Sequence, residues 1–227
     1  MHHEHLSKRT CRRPDLTNAQ REPFQAFYKQ LTRCRAGTPE YISKFPTNLA
    51  PAIEHDDFCI SESNAIMRYV VTTFPDKAGK FYPNDRKKRA TIDMIAEYSG
   101  ITVYNLIAKS MYPDVGFPLY AGDVNSMDAT KEKTAESQAA AAAELLGLLE
   151  AKYEKNWLAK TKFLAGDEPT IADLRFGPML LFARVAVKIP ARLVKYMDDL
   201  VEVLPGYKDA IEFGGHGPKP FTEAKKK

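Results

Sequence analysis

Two short apolar runs, "APAIEH" and "DFCIS", flank the polar stretch "HDD" between Ala50 and Ser61, which predicts a β-hairpin with a polar turn. After "SES" the pattern changes period. Ala65, Ile66, Tyr69, Val70, Thr73 and Phe74 recur at three- and four-residue steps, so a helix with one buried face starts near Ser63 and stops before Pro75. Upstream, "FQAFYKQL" from Phe24 to Leu31 alternates weakly, as a strand does. "TPEYISKF" then predicts a short helix opened by Thr38, with Pro39 in its first turn. Residues 1–23 are almost devoid of apolar side chains and are interrupted by Pro14, so they make no core element by themselves.

Beyond the polar, Pro- and Gly-containing bridge "PDKAGKFYPND" strand patterning disappears. Helical periodicity covers residues 85–110, 129–158 and 170–188, the second with the run Ala139–Ala143 followed by Leu145, Leu146, Leu148 and Leu149. In "DEPTIAD", Thr170 is the expected N-cap of the third segment and Asp173 the partner that returns a hydrogen bond to the cap amide. Pro178 is expected to kink that helix. These patterns predict an α+β chain of two domains: a small α/β unit over residues 1–75, a linker over 76–84, and an all-helical bundle over 85–227.

Composition narrows the class. With 227 residues, 44% of them hydrophobic, the chain can bury a sizeable core. It has no long apolar run and no apolar segment near Met1, so the expectation is a cytoplasmic protein with neither a membrane span nor a secretory signal. Cys11, Cys34 and Cys59 fit neither a disulfide framework nor a zinc signature. The net charge of +4 is local: residues 1–36 hold eight Lys/Arg against three Asp/Glu, leaving 25 against 26 elsewhere. Without interleaved aromatics this basic arm reads as a solvated segment, and no nucleic-acid partner is expected. The cluster "HHEH" near the start lacks fixed geometry, and no metal is expected.

The chemistry concentrates around one proline. Pro51 opens a strand yet cannot donate to a sheet ladder. If the Ala50–Pro51 bond is cis, the chain turns sharply and the N–H and C=O of Ala50 face outward, ready to pair with an extended peptide as an added strand does. Directly after the hairpin, Glu62 and Ser63 precede a helix whose first-turn amides favour a carboxylate. Together they suit a zwitterionic amino-acid head, its ammonium on Glu62 and its carboxylate on Ser63. The competing reading is that Ser63 only caps the helix and Glu62 is solvated.

"FPTNLAPAIEHDDFCISESNAIMRYV" is similar to the pattern of cytosolic glutathione transferases: Asn-Pro, a cis Val-Pro bond, a hairpin, and Glu/Gln-Ser before a helix ending in Arg-Tyr. "FLAGDEPTIADL" resembles that family's second signature, and "FYPNDRKKRATIDM" with "YPDVGFPLYAGD" looks theta-like. The resemblance implies a thioredoxin-like domain that binds glutathione, a helical domain that binds an electrophile, and a homodimer. It assigns Pro51 as the cis-proline, Ala50 as the residue pairing with the cysteinyl part of glutathione, and Glu62 with Ser63 as the clamp on its γ-glutamyl group. The implied activity is conjugation of the glutathione thiolate to small hydrophobic electrophiles, with peroxide as a further substrate. No metal is implied.

Two departures stand out. The theta-type thiolate-holding serine falls by count on Ser7, but the family's apolar strand and helix around that position are replaced here by polar sequence, so one expectation is a first domain incomplete at its start. Cys11, flanked by Arg9, Arg12 and Arg13, is the second candidate. Leu49 stands where theta-type chains often carry a lysine for the glycyl carboxylate, with Arg35 the possible substitute. On helical spacing, Tyr98, Thr102 and Tyr104 are the positions to face the electrophile. The rival readings are a non-catalytic docking or dimerisation module of the same fold, and a chain whose residues 1–23 are not the natural start.

Overall fold

The structure, a computed structural model, describes residues 38–111, 131–204 and 206–208. The chain divides into two compact units, Met1–Ile66 and Met67–Lys227. The strand expected over Phe24–Leu31 lies outside the described residues.

In the first unit, helix α1 (Pro39–Lys44) starts as its sequence dictates, because Thr38 Oγ1 accepts the Tyr41 amide at 3.2 Å and Pro39 sits where a missing N–H costs nothing. The hairpin follows, β1 (Ala52–His55) antiparallel to β2 (Phe58–Ser61), with Ala52 opposite Ser61 and His55 opposite Phe58. Asp56 turns the corner at φ 55°, a conformation that Asp tolerates better than most side chains. Tyr41, Phe45 and Ala52 form the small core of this unit, with Cys59 packed against it. Helix α2 (Ser63–Thr73) begins immediately after β2.

The second unit is built from helices, with turns and an isolated β-bridge between Phe163 and Gly166 among its described residues. A short helix α3 (Pro75–Ala78) and a 3-10 turn (Gly79–Phe81) lead into α4 (Arg86–Tyr98), capped by Asp85, whose carboxylate accepts the Lys88 amide at 2.7 Å. The segment read as one helix over residues 85–110 is not uniform: α4 widens into a π-turn (Ser99–Val103) before α5 (Tyr104–Met111) resumes. Helix α6 (Lys131–Leu148) likewise opens into a π-segment (Leu149–Trp157). Helix α7 (Ile171–Ala186) continues through Pro178. Helix α8 (Ala191–Val203) is an element absent from the sequence reading, although Leu193, Tyr196 and Leu200 recur at helical spacing and are fully buried.

An aromatic core fixes these helices together. Tyr153 stacks on Phe176 with ring centroids 3.8 Å apart, and Phe163 and Tyr196 pack alongside. The Asp173 box at the start of α7 is deeper than a cap: its carboxylate accepts the Thr170 amide (2.7 Å), the Thr170 hydroxyl (2.9 Å), the Leu164 amide (2.9 Å) and the Tyr196 hydroxyl (3.0 Å). Burial pushes the Asp173 carboxyl pKa up, and these four donors oppose that shift by favouring the anion.

Candidate functional site

The Ala50–Pro51 peptide bond is cis. Ala50 and Pro51 are both exposed, and neither the N–H nor the C=O of Ala50 has a hydrogen-bond partner among the described residues. The register of the hairpin explains what lies beside them. Ala52 faces Ser61 at the open end, so the residues just beyond that rung, Pro51 on one strand and Glu62 on the other, flank it side by side.

Glu62 is exposed and holds the left-handed conformation at φ 73°, which costs a side-chain-bearing residue of its kind about 1 kcal/mol. Its backbone carbonyl nonetheless accepts the Ile66 amide at 2.9 Å, so the bend is locked to the first turn of α2. Neither the Glu62 carboxylate nor the Ser63 hydroxyl has a partner among the described residues. Ser63 is the first residue of α2. What the arrangement presents is a free amide and carbonyl for an extended main chain, next to an anion, a hydroxyl and a helix N-terminus.

The loop leading into Pro51 is braced from both sides, by residues that periodicity alone does not single out. Tyr41 donates its hydroxyl to the Leu49 carbonyl at 2.8 Å, and the Thr47 and Ser61 hydroxyls lie 3.1 Å apart. Asn48, at φ 51°, turns the chain between these two anchors.

The other expected site residues lie outside the described residues or in the second unit. Ser7, Cys11 and Arg35 lie outside the described residues. Tyr98, at the end of α4, is half-buried, with its ring edge-on to Trp157 at 5.6 Å, and Tyr104 packs against the same core. Thr102 is half-buried within the π-turn. Among the described residues no group of His, Cys, Asp or Glu is placed to hold a metal ion, and no helix is long and apolar enough to cross a membrane.

Residues 24–72 match the family described as "Glutathione S-transferase, N-terminal domain" and residues 128–211 match "Glutathione S-transferase, C-terminal domain". Over 160 residues, 68% of this chain and 67% of the other, the sequence is 32% identical to Glutathione S-transferase F9 of Arabidopsis thaliana. The chain belongs to the glutathione S-transferase family.

Glutathione S-transferase F12 of the same plant is 29% identical over 202 residues, covering 85% of this chain and 87% of the relative. The theta class glutathione S-transferase of Xanthomonas axonopodis pv. citri, solved with glutathione bound, superimposes with a TM-score of 0.59 at 22% identity, covering 78% of each chain. The fold is therefore that of the glutathione S-transferases, a thioredoxin-like N-terminal domain followed by a helical C-terminal one. The family uses glutathione as co-substrate.

Proposed function

We propose that this glutathione S-transferase binds glutathione in extended form along Ala50 and conjugates its sulfur to small hydrophobic electrophiles. The observation that carries the reading is the cis Ala50–Pro51 bond with an unpaired Ala50 backbone, set beside Glu62 and Ser63 at the open end of the hairpin. The cysteinyl amide and carbonyl pair with Ala50, the γ-glutamyl ammonium with the Glu62 carboxylate, and the γ-glutamyl carboxylate with Ser63 and the first-turn amides of α2. Arg35 takes the glycyl carboxylate.

Chemistry follows from positioning and from charge. The thiol must become a thiolate to attack, and a hydroxyl donating to the sulfur stabilises that anion; Ser7 is the residue assigned to this role, with Cys11 as the alternative. The thiolate then attacks an electrophilic carbon, forming a C–S bond as the leaving group departs with its electron pair. In the further activity it attacks a peroxide oxygen, the O–O bond breaks, alkoxide leaves and takes a proton, and the resulting glutathione sulfenic acid reacts with a second glutathione to give the disulfide and water. Holding the two reactants together supplies several kcal/mol. Tyr98, Thr102 and Tyr104 are proposed to line the electrophile pocket. The remaining assignments are a theta-like subgroup, a cytoplasmic homodimer, and a domain boundary over residues 76–84.

The test is glutathione conjugation to a general aromatic electrophile. Robust turnover that falls with Glu62→Ala through a raised KM for glutathione supports the reading. Tight glutathione binding without turnover would replace it with a docking module of the same fold.

A further inference from the structure

We infer that Tyr41 is a positioning residue for glutathione: through its hydrogen bond to the Leu49 carbonyl it aims the Ala50 amide at the bound peptide. The inference rests on the glutathione-binding reading above and adds to it a residue that touches neither substrate.

The geometry follows from the planarity of the peptide group. The Leu49–Ala50 peptide is trans, since Ala50–Pro51 is the cis bond in this loop. In a trans peptide the C=O of one residue and the N–H of the next point in opposite directions within a shared plane. Tyr41 is 7% exposed and packs against Phe45, so its hydroxyl is a fixed point on the inner side of the loop. When that hydroxyl holds the Leu49 carbonyl at 2.8 Å, the Ala50 N–H at the other end of the same plane is turned outward. The Ala50 amide accordingly has no partner among the described residues, and Leu49 is 56% exposed.

Two further contacts of the loop involve other groups. The Asn48 amide donates to the Phe45 carbonyl at 2.9 Å, and Thr47 meets Ser61, but neither touches the Leu49–Ala50 plane. Burial raises the Tyr41 phenol pKa, so the hydroxyl keeps its proton across the working range and continues to donate. Without that donor the plane is free to rotate, and glutathione must pay the cost of ordering it on binding.

Tyr41→Phe removes one oxygen and keeps the ring contact with Phe45. Steady-state kinetics of the full chain, varying glutathione and then the electrophile, is the experiment, with Lys44→Met as the control. Lys44, on the same helix as Tyr41, pairs with Glu54 of β1 rather than with the Leu49 carbonyl. The expected result is a KM for glutathione raised about tenfold in Tyr41→Phe, with kcat and the electrophile KM unchanged, and no such split in Lys44→Met. A Tyr41→Phe enzyme with unaltered glutathione KM overturns the inference while leaving the transferase reading intact. A wild-type protein that neither binds nor turns over glutathione overturns both. If Tyr41→Phe does not fold, amide hydrogen exchange on the wild-type protein decides: the Ala50 amide exchanges freely alone and at least about tenfold more slowly with glutathione, whereas protection already present in the free protein overturns the inference.

Discussion

Ser99 Oγ and Tyr153 Oη lie 2.8 Å apart, fully buried, at a point where each residue's helix has widened into a π-segment. Ser99 Oγ also donates to the Ile95 carbonyl at 2.7 Å, which assigns the Tyr153 hydroxyl as the donor in the pair. Burial raises the Tyr153 pKa, keeping that proton in place. Ser99→Ala leaves the phenol buried without an acceptor and should cost about 2 kcal/mol by denaturant unfolding. Adding Tyr153→Phe should recover about half of that loss, because both polar groups are then gone.

The left-handed Glu62 separates stability from function. Glycine adopts φ 73° without steric cost, so Glu62→Gly should leave the melting temperature unchanged or raise it, by up to about 1 kcal/mol of stability. The same substitution removes the carboxylate proposed to hold the γ-glutamyl ammonium. Its KM for glutathione should rise by about tenfold or more. Parallel thermal melts and kinetics check both halves.

Asp173 accepts four hydrogen bonds in a buried setting, so its side chain is worth far more than an exposed cap. Asp173→Ala should destabilise the protein by about 3 kcal/mol or more, against about 1 kcal/mol for Tyr196→Phe, which removes one donor of the four. Chemical unfolding of both variants gives the comparison.

Arg68 bridges two carboxylates of α4, Asp93 through Nε at 2.8 Å and Glu97 through Nη2 at 2.9 Å, while the Tyr82 hydroxyl donates to the other Asp93 oxygen. The groups are only half-buried, so screening limits their worth. Arg68→Met should cost about 1 kcal/mol, and the loss should shrink in high salt.

At the nucleophile, Ser7→Ala should lower kcat about tenfold or more with little change in glutathione binding, because the hydroxyl is the group proposed to hold the thiolate. Cys11→Ala should leave kcat unchanged. Measuring the pH dependence of kcat/KM for both variants separates the two candidates: loss of the thiolate-stabilising donor moves the limiting pKa upward.

Much of the fold was legible because its signals are local. The Thr38 cap with Pro39, the hairpin across "HDD", the start of α2 after "SES" and the Thr170–Asp173 pair all depend on residues within four positions of one another. The π-turns were not legible, since one extra residue in a helical turn leaves apolar spacing close to three and four on either side. Helix α8 is masked in the sequence despite its period, because Pro190 reads as a stop, while Asp198 and Asp199 dilute the apolar face. At the site, Ala50, Pro51, Glu62 and Ser63 stood out by residue type and order. Tyr41 did not, because a tyrosine on a short helix looks the same whether its hydroxyl meets water or a carbonyl.

The sequence by itself determined which elements form and where the polar chemistry gathers, because capping, turn formation and helical period are set by neighbours along the chain. Only the tertiary structure decided that Tyr41 reaches Leu49, that Ser99 meets Tyr153 across 54 positions, and that Asp173 is shared with Tyr196. Those pairings depend on how buried faces settle against each other, and a hydrogen bond of about 3 Å tolerates no ambiguity in that packing.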